Sequence, residues 1–165
     1  MSNELVRDAL GNEAEVDKAE KNLQKYLFFS LDAVEYGVEI GLVQEIITLP
    51  QISPIPSTKK FCKGVINIRG SIVPVIDMRI KLGKEPCEYT EKTCIIVLEL
   101  AGERIGAIVE RVLEVVEISS DKLLESPSKF ESNGYHSISS KILGDAGGKR
   151  QILDLYQVFD LEAEA

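Results

Sequence analysis

The chain repeats itself. Laid without a gap on Val97–Val116, the segment Phe28–Ile47 puts Gly37 on Gly106, Val43 on Val112, Glu45 on Glu114 and Ile46 on Val115. A second overlay, Gly64–Met78 on Lys141–Leu155, puts Val65 on Ile142, Gly70 on Gly147, Val75 on Ile152, Ile76 on Leu153 and Asp77 on Asp154. Such self-similarity means that the two halves share strand, turn and strand order, and it implies two similar small barrels made by duplication. In a chain of 165 residues neither half carries enough apolar surface to stand alone, so the barrels are expected to press together over a shared core.

From Tyr26 onward, short apolar runs alternate with turn-formers, the texture of an all-β, mainly β, fold. Tyr26–Asp32, Tyr36–Ile40 and Val43–Leu49 read as the first strands, and CKGVINI, SIVPVID, TCIIVLEL, ERIGAIVE and VLEVVEI as the next. Each half is thus read as a five-stranded barrel. Short helical turns are expected after Asp77 and Asp154, each aspartate serving as an N-cap. Pro50, Pro54 and Pro56 mark a loop, and Pro74 places its strand at a sheet edge or a bulge, because proline cannot donate to an interior ladder. Asp121–Tyr135 reads as an excursion loop, and Gly144–Lys149 as a hairpin turn that lacks the spacing of a phosphate-binding loop. The expected organisation is an acidic, flexible or loosely helical tail over 1–25, one domain of two interleaved barrels over 26–159 with halves at about 26–90 and 91–159, and a C-terminal tail over 160–165.

Charge and composition close off several functions. Nineteen Lys and Arg stand against 27 Asp and Glu, a net charge of -8, which repels polyanions, and 6% aromatic content is low for a groove that stacks bases. No apolar run reaches the ~20 residues of a membrane span and no signal-peptide core opens the chain, so a cytoplasmic protein is expected. Cys62, Cys87 and Cys94 are too widely spaced for a CxxC site and read as reduced thiols. The single histidine, His136, lies among serines without a nucleophile-elbow signature. Acids such as Glu114 and Glu117 read as a solvated strand face.

The repeat also acts as an internal control. Where the halves differ in a polar group, packing explains little, and the clearest difference sets Asn67-Ile68-Arg69-Gly70 against Gly144-Asp145-Ala146-Gly147. Asn67 and Arg69, two apart on a strand ending in a glycine turn, are expected on one face. A guanidinium on a barrel rim suits bidentate recognition of a carboxylate, a partner's or a nearby acid of the same chain such as Glu45, and both can hold together because an internal ion pair can also fix the surface a partner reads.

Tyr36–Ile46, the proline-rich loop to Pro56, Lys63–Gly83 (KGVINIRGSIVPVIDMRIKLG) and Ile96–Ile118 together resemble the CheW family of bacterial chemotaxis coupling proteins. The resemblance runs from about Tyr26 to Phe159 and implies paired SH3-like barrels. It implies a non-enzymatic adaptor, without cofactor or metal, that joins the cytoplasmic tip of methyl-accepting chemoreceptors to the regulatory domain of the histidine kinase CheA, peripherally attached to receptor arrays. On this resemblance Val43, Glu45, Gly64, Asn67, Arg69, Gly70, Val112 and Val115 form the receptor-binding set, and Lys63 and Phe130 contact the kinase. The sequence departs from the family's usual pattern at Pro127–Phe130 and at Ser139-Ser140. Two other readings stay open: an adaptor of a non-flagellar pathway such as pili or development, and a small-barrel ligand-binding domain or enzyme built around Asn67 and Arg69.

Overall fold

A computed structural model of the chain describes residues 22–56, 59–125, 140–144 and 150–159. Phe130 and His136, the residues before Asn22, those over 145–149 where a turn is expected, and those after Phe159 lie outside them. The first strands are β1 (Leu23–Leu31), β2 (Val34–Glu39) and β3 (Val43–Thr48), followed by β4 (Cys62–Ile68), β5 (Ser71–Asp77) and a single-turn helix, α1 (Met78–Lys81). The second half supplies β6 (Cys94–Leu100), β7 (Glu103–Val109), β8 (Arg111–Ser119), β9 (Leu123–Glu125), β10 (Ser140–Leu143), β11 (Arg150–Leu153) and α2 (Leu155–Val158). β1 therefore starts before Tyr26, inside the segment expected to be tail, and β9 occupies part of the expected excursion loop.

Local chemistry repeats along with the sequence. β1 and β2 are joined by Asp32 and Ala33 at φ 50 and 63, and β6 and β7 by Ala101 and Gly102 at φ 52 and 79. Two consecutive left-handed residues form the tight turn whose twist matches the strands on either side. Asp77 Oδ1 accepts the Arg79 amide at 3.0 Å and Asp154 Oδ1 accepts the Tyr156 amide at 3.1 Å, so each aspartate caps the helix that follows it.

The two halves exchange their first hairpins. One sheet has the order β8-β1-β2-β11-β10-β9 and the other β3-β6-β7-β5-β4, so β1 and β2 complete the barrel of the second half while β6 and β7 complete that of the first. The registers are twins: Val75 pairs with Gly106 and Ile152 with Gly37, both in parallel ladders. Each barrel also has the same bulge, for Gln44 is left over between the pairs Val43–Leu98 and Glu45–Val97, and Leu113 between Phe29–Val112 and Phe28–Glu114. Ser53 bridges Val65 and Leu124 pairs with Ile142, so the chain beyond β3 and β8 bends round to meet the far strand of each barrel.

This interleaving explains the unbroken apolar runs. Ile95 and Val97 point into the first barrel with Ile66, Val73 and Val75, whereas Ile96 and Leu98 join Leu27, Phe29, Tyr36 and Met78 in the core between the sheets. Tyr26 and Phe28 fill the second barrel with Ile118 and Ile152. Strands buried on both faces read as continuous hydrophobic stretches.

Pro74 is not on an edge strand, because β5 lies between β4 and β7. It is tolerated because the ladder to β7 begins only at Val75, and the expected irregularity sits in the partner strand, between Cys62 and Gly64.

Asp77 has a second task that the repeat does not predict. Its carboxylate lies 3.4 Å from Arg79 Nη2, both side chains almost fully buried, and accepts the Tyr89 hydroxyl at 2.9 Å. Arg79 also donates to the Cys87 carbonyl at 2.8 Å and stands 3.6 Å from Glu110, whose carboxylate accepts the Asp32 amide. One buried guanidinium thereby ties the segment between the halves to the turn of β1 and β2.

Candidate functional site

The bulges at Gln44 and Leu113 decide what β3 and β8 present. Val43 and Ile46 pair with Leu98 and Ile96, both members of the core between the sheets, whereas Glu45 pairs with Val97, which points into the first barrel. The repeat holds on β8, where Val112 and Val115 pair with Phe29 and Leu27 of the inter-sheet core and Glu114 pairs with Phe28 of the second barrel. Without the extra residue a strict alternation could not put residues three apart on the same side. Val43, Val112 and Val115 are half-buried against the inter-sheet core, and Ile46 is 40% exposed. The two strands thus carry matching apolar rows along one seam. Ile46 is absent from the expected set, although its overlay on Val115 is the signal that could have found it.

Each glutamate is tied to an arginine. Glu45 Oε2 accepts from Arg69 Nη2 at 3.0 Å, with the arginine side chain 79% exposed. Arg69 therefore meets an acid of its own chain while most of its guanidinium remains open to solvent. It does not share a strand face with Asn67, since β4 ends at Ile68 and Arg69 sits in the turn at φ 48. Asn67 instead turns its Oδ1 to the Gly70 amide at 2.9 Å, closing a turn in which Gly70 has φ 87. Ile72, the register partner of Asn67, is 64% exposed beside it.

Glu114 is exposed, as expected of a solvated face, and also accepts from Arg150 Nη2 at 2.6 Å, while Glu35 shares the same nitrogen at 3.2 Å. The hydrogen bond to Glu114 is the largest of the effects that raise the Arg150 pKa above its ordinary value, against the opposing effect of burial.

The other expected residues fall elsewhere. Gly64 is buried, with φ 138, and lies under the Ser53 carbonyl, so it serves close backbone approach and offers no surface of its own. Lys63 stands at the β4 bulge and lines a shallow cleft with Ile52, Asp77, Cys87, Glu88 and Tyr89, away from the seam strands. All three cysteines are free thiols, and burial pushes the Cys94 thiol up.

Two interleaved barrels, an apolar seam and rims fixed by ion pairs define a small two-barrel β protein with SH3-like halves. The model of the CheW-like domain family matches residues 25–163, and the chain belongs to that family. It is 38% identical over 104 residues to the chemotaxis protein CheW of Klebsiella aerogenes, an alignment spanning 63% of this chain and 63% of that protein, just under two thirds of its length. It is 27% identical over 143 residues to the chemotaxis protein CheW of Bacillus subtilis, covering 87% of this chain and 91% of the other. Among solved structures it resembles the scaffolding protein TtCheW of Thermoanaerobacter tengcongensis, with a TM-score of 0.74 and 29% identity over 86% of this chain and 95% of that one.

Proposed function

We propose that the protein is a non-enzymatic chemotaxis adaptor that joins the cytoplasmic tip of methyl-accepting receptors to the regulatory domain of the histidine kinase CheA. The observation that carries this reading is the seam: matching valines on β3 and β8, exposed Ile46 beside them, and an open guanidinium, Arg69, held at the rim by Glu45. An amphipathic receptor helix would lay its apolar side on the valines and present a carboxylate to the free part of Arg69. Glu45 fixes where that guanidinium stands, so less freedom is lost when the partner arrives. Lys63 and Phe130 belong to the kinase side of this reading.

An adaptor needs no chemistry of its own. If it binds the receptor more tightly in one signalling state than in the other, that difference alone shifts the kinase it also holds. Among the described residues no helix is long and apolar enough to cross a membrane, and in this reading the protein works in the cytoplasm, held at receptor arrays by its partners.

The test is reconstitution from the purified chain, a receptor-tip fragment and the kinase regulatory domain. The expected result is a ternary complex from which Arg69→Glu removes the receptor while the melting temperature hardly moves, since an exposed ion pair contributes about 0–1 kcal/mol. Binding of neither partner by the wild-type chain would end the adaptor reading.

A further inference from the structure

We infer that Arg150 is a positioning residue for receptor recognition, holding β8 through Glu114 so that Val112 and Val115 face the seam; the inference rests on the adaptor reading above. β8 is an edge strand whose one ladder among the described residues runs to β1, so its other side is not fixed by pairing there. Arg150, at the start of β11, reaches it from across the barrel mouth. Its guanidinium meets Glu35 on β2 at 3.2 Å, lies 4.6 Å from the ring centroid of Phe28 on β1, and meets Glu114 on β8 at 2.6 Å. One side chain, 20% exposed, thus spans three strands that lie side by side and ends on the strand that carries the valines.

The site is built for that reach. The Phe28 ring lies against Gly37, where an added Cβ would stand 2.8 Å from it, so only glycine leaves room for the ring under the guanidinium. A charge stacked on an aromatic face and shared between two carboxylates is more firmly placed than one in a single exposed pair.

The repeat supplies the functional argument. Glu114 is the twin of Glu45, but the twin of Arg69 is Ala146; the second arginine has come from another position on the equivalent hairpin, and the tie to the glutamate has been remade. Duplication alone would leave either the same arginine or none. What the two barrels have in common is the constraint itself: the bulged strand with its seam valines is held by its glutamate. Arg150 and Arg69 differ in exposure, so the first acts only through Glu114 while the second also stands open to a partner.

The experiment measures binding of a receptor-tip helical fragment by the full chain, together with amide hydrogen exchange along β8. Arg150→Gln and Glu114→Gln are each expected to weaken binding about fivefold to tenfold, in the usual range of coupling between sites, and to speed exchange at Val112–Val116 while β6 and β7 stay unchanged. Arg150→Lys should recover part of both. Weaker binding without faster β8 exchange would mean that Arg150 touches the partner directly, and faster exchange with unchanged affinity would make the tie purely structural; either result overturns the inference. If Arg150→Gln does not fold, Glu114→Gln decides alone. A wild-type chain that fails to bind the fragment removes the adaptor reading and this inference with it, whereas unaltered binding by both variants removes the inference alone.

Discussion

The backbone of Gly64 stands so close to Ser53 that a Cβ on the glycine would lie 2.1 Å from the Ser53 carbonyl oxygen. Two hydrogen bonds of 2.9 Å, exchanged between Ser53 and Val65, hold the proline-rich loop in that place. Gly64→Ala would have to open this bridge and also strain a backbone at φ 138. It is expected to lower the unfolding free energy by about 2–4 kcal/mol, read from urea denaturation, and any weakening of partner binding should follow from the displaced loop.

Asp77 and Asp154 cap equivalent helices but have different surroundings. Asp154 is exposed, and Asp154→Ala should cost about 1 kcal/mol, the usual value of a cap. Asp77→Ala would also leave Arg79 buried without its nearest carboxylate, and a drop of about 3–5 kcal/mol is expected. Paired thermal melts of the two variants check this, and equal effects would contradict the assignment of Arg79 as a buried tie.

Alkali should unfold the protein through its tyrosines. Burial is the first cause that raises the pKa of Tyr26, Tyr36 and Tyr89, and for Tyr89 the Asp77 charge and hydrogen bond add to it. Because the folded values lie above the unfolded one of about 10, the unfolded chain gives up these protons first. The stabilisation is therefore complete below that pH and is lost as pH rises toward the folded values. Urea midpoints between about pH 8 and about pH 11 should fall, and Tyr89→Phe should flatten part of the decline.

The exchanged hairpins make each half depend on the other. Fragments cut in the segment between α1 and β6, one ending near residue 90 and the other starting near 91, should each be unfolded or aggregated alone and should fold on mixing into a one-to-one complex. Circular dichroism and size-exclusion chromatography would detect it; a half that folds by itself would mean that the hairpins are dispensable.

The sequence is informative about this fold where a local rule and the repeat agree. Asp77 and Asp154 are legible as caps because the motif and its copy coincide, and most strands are legible because turn-formers bracket them. Pro74 misleads, since the rule against interior proline knows nothing of a ladder that begins one residue later. The interleaving is expected, but which strands are exchanged is not legible in one dimension, where an interleaved pair of barrels has the same strand order as two separate ones. At the candidate site, Glu45 and Arg69 are legible as one of two alternatives for the arginine. Glu114 and Arg150 are not, because the repeat has no arginine at the matching turn and only the sheet order brings β11 and β8 to the same barrel mouth. Arg79 is missed for a similar reason: its partners come from three separate segments.

The leftover residues Gln44 and Leu113 act as spacers in the frame of their strands. Ironing out either bulge with every residue kept would turn everything beyond it by half a pleat, sending a glutamate outward to where a visiting helix would look for a valine, and hiding the valine in the barrel. The same amino acids in an unkinked strand would then present a charged wall in place of a greasy one.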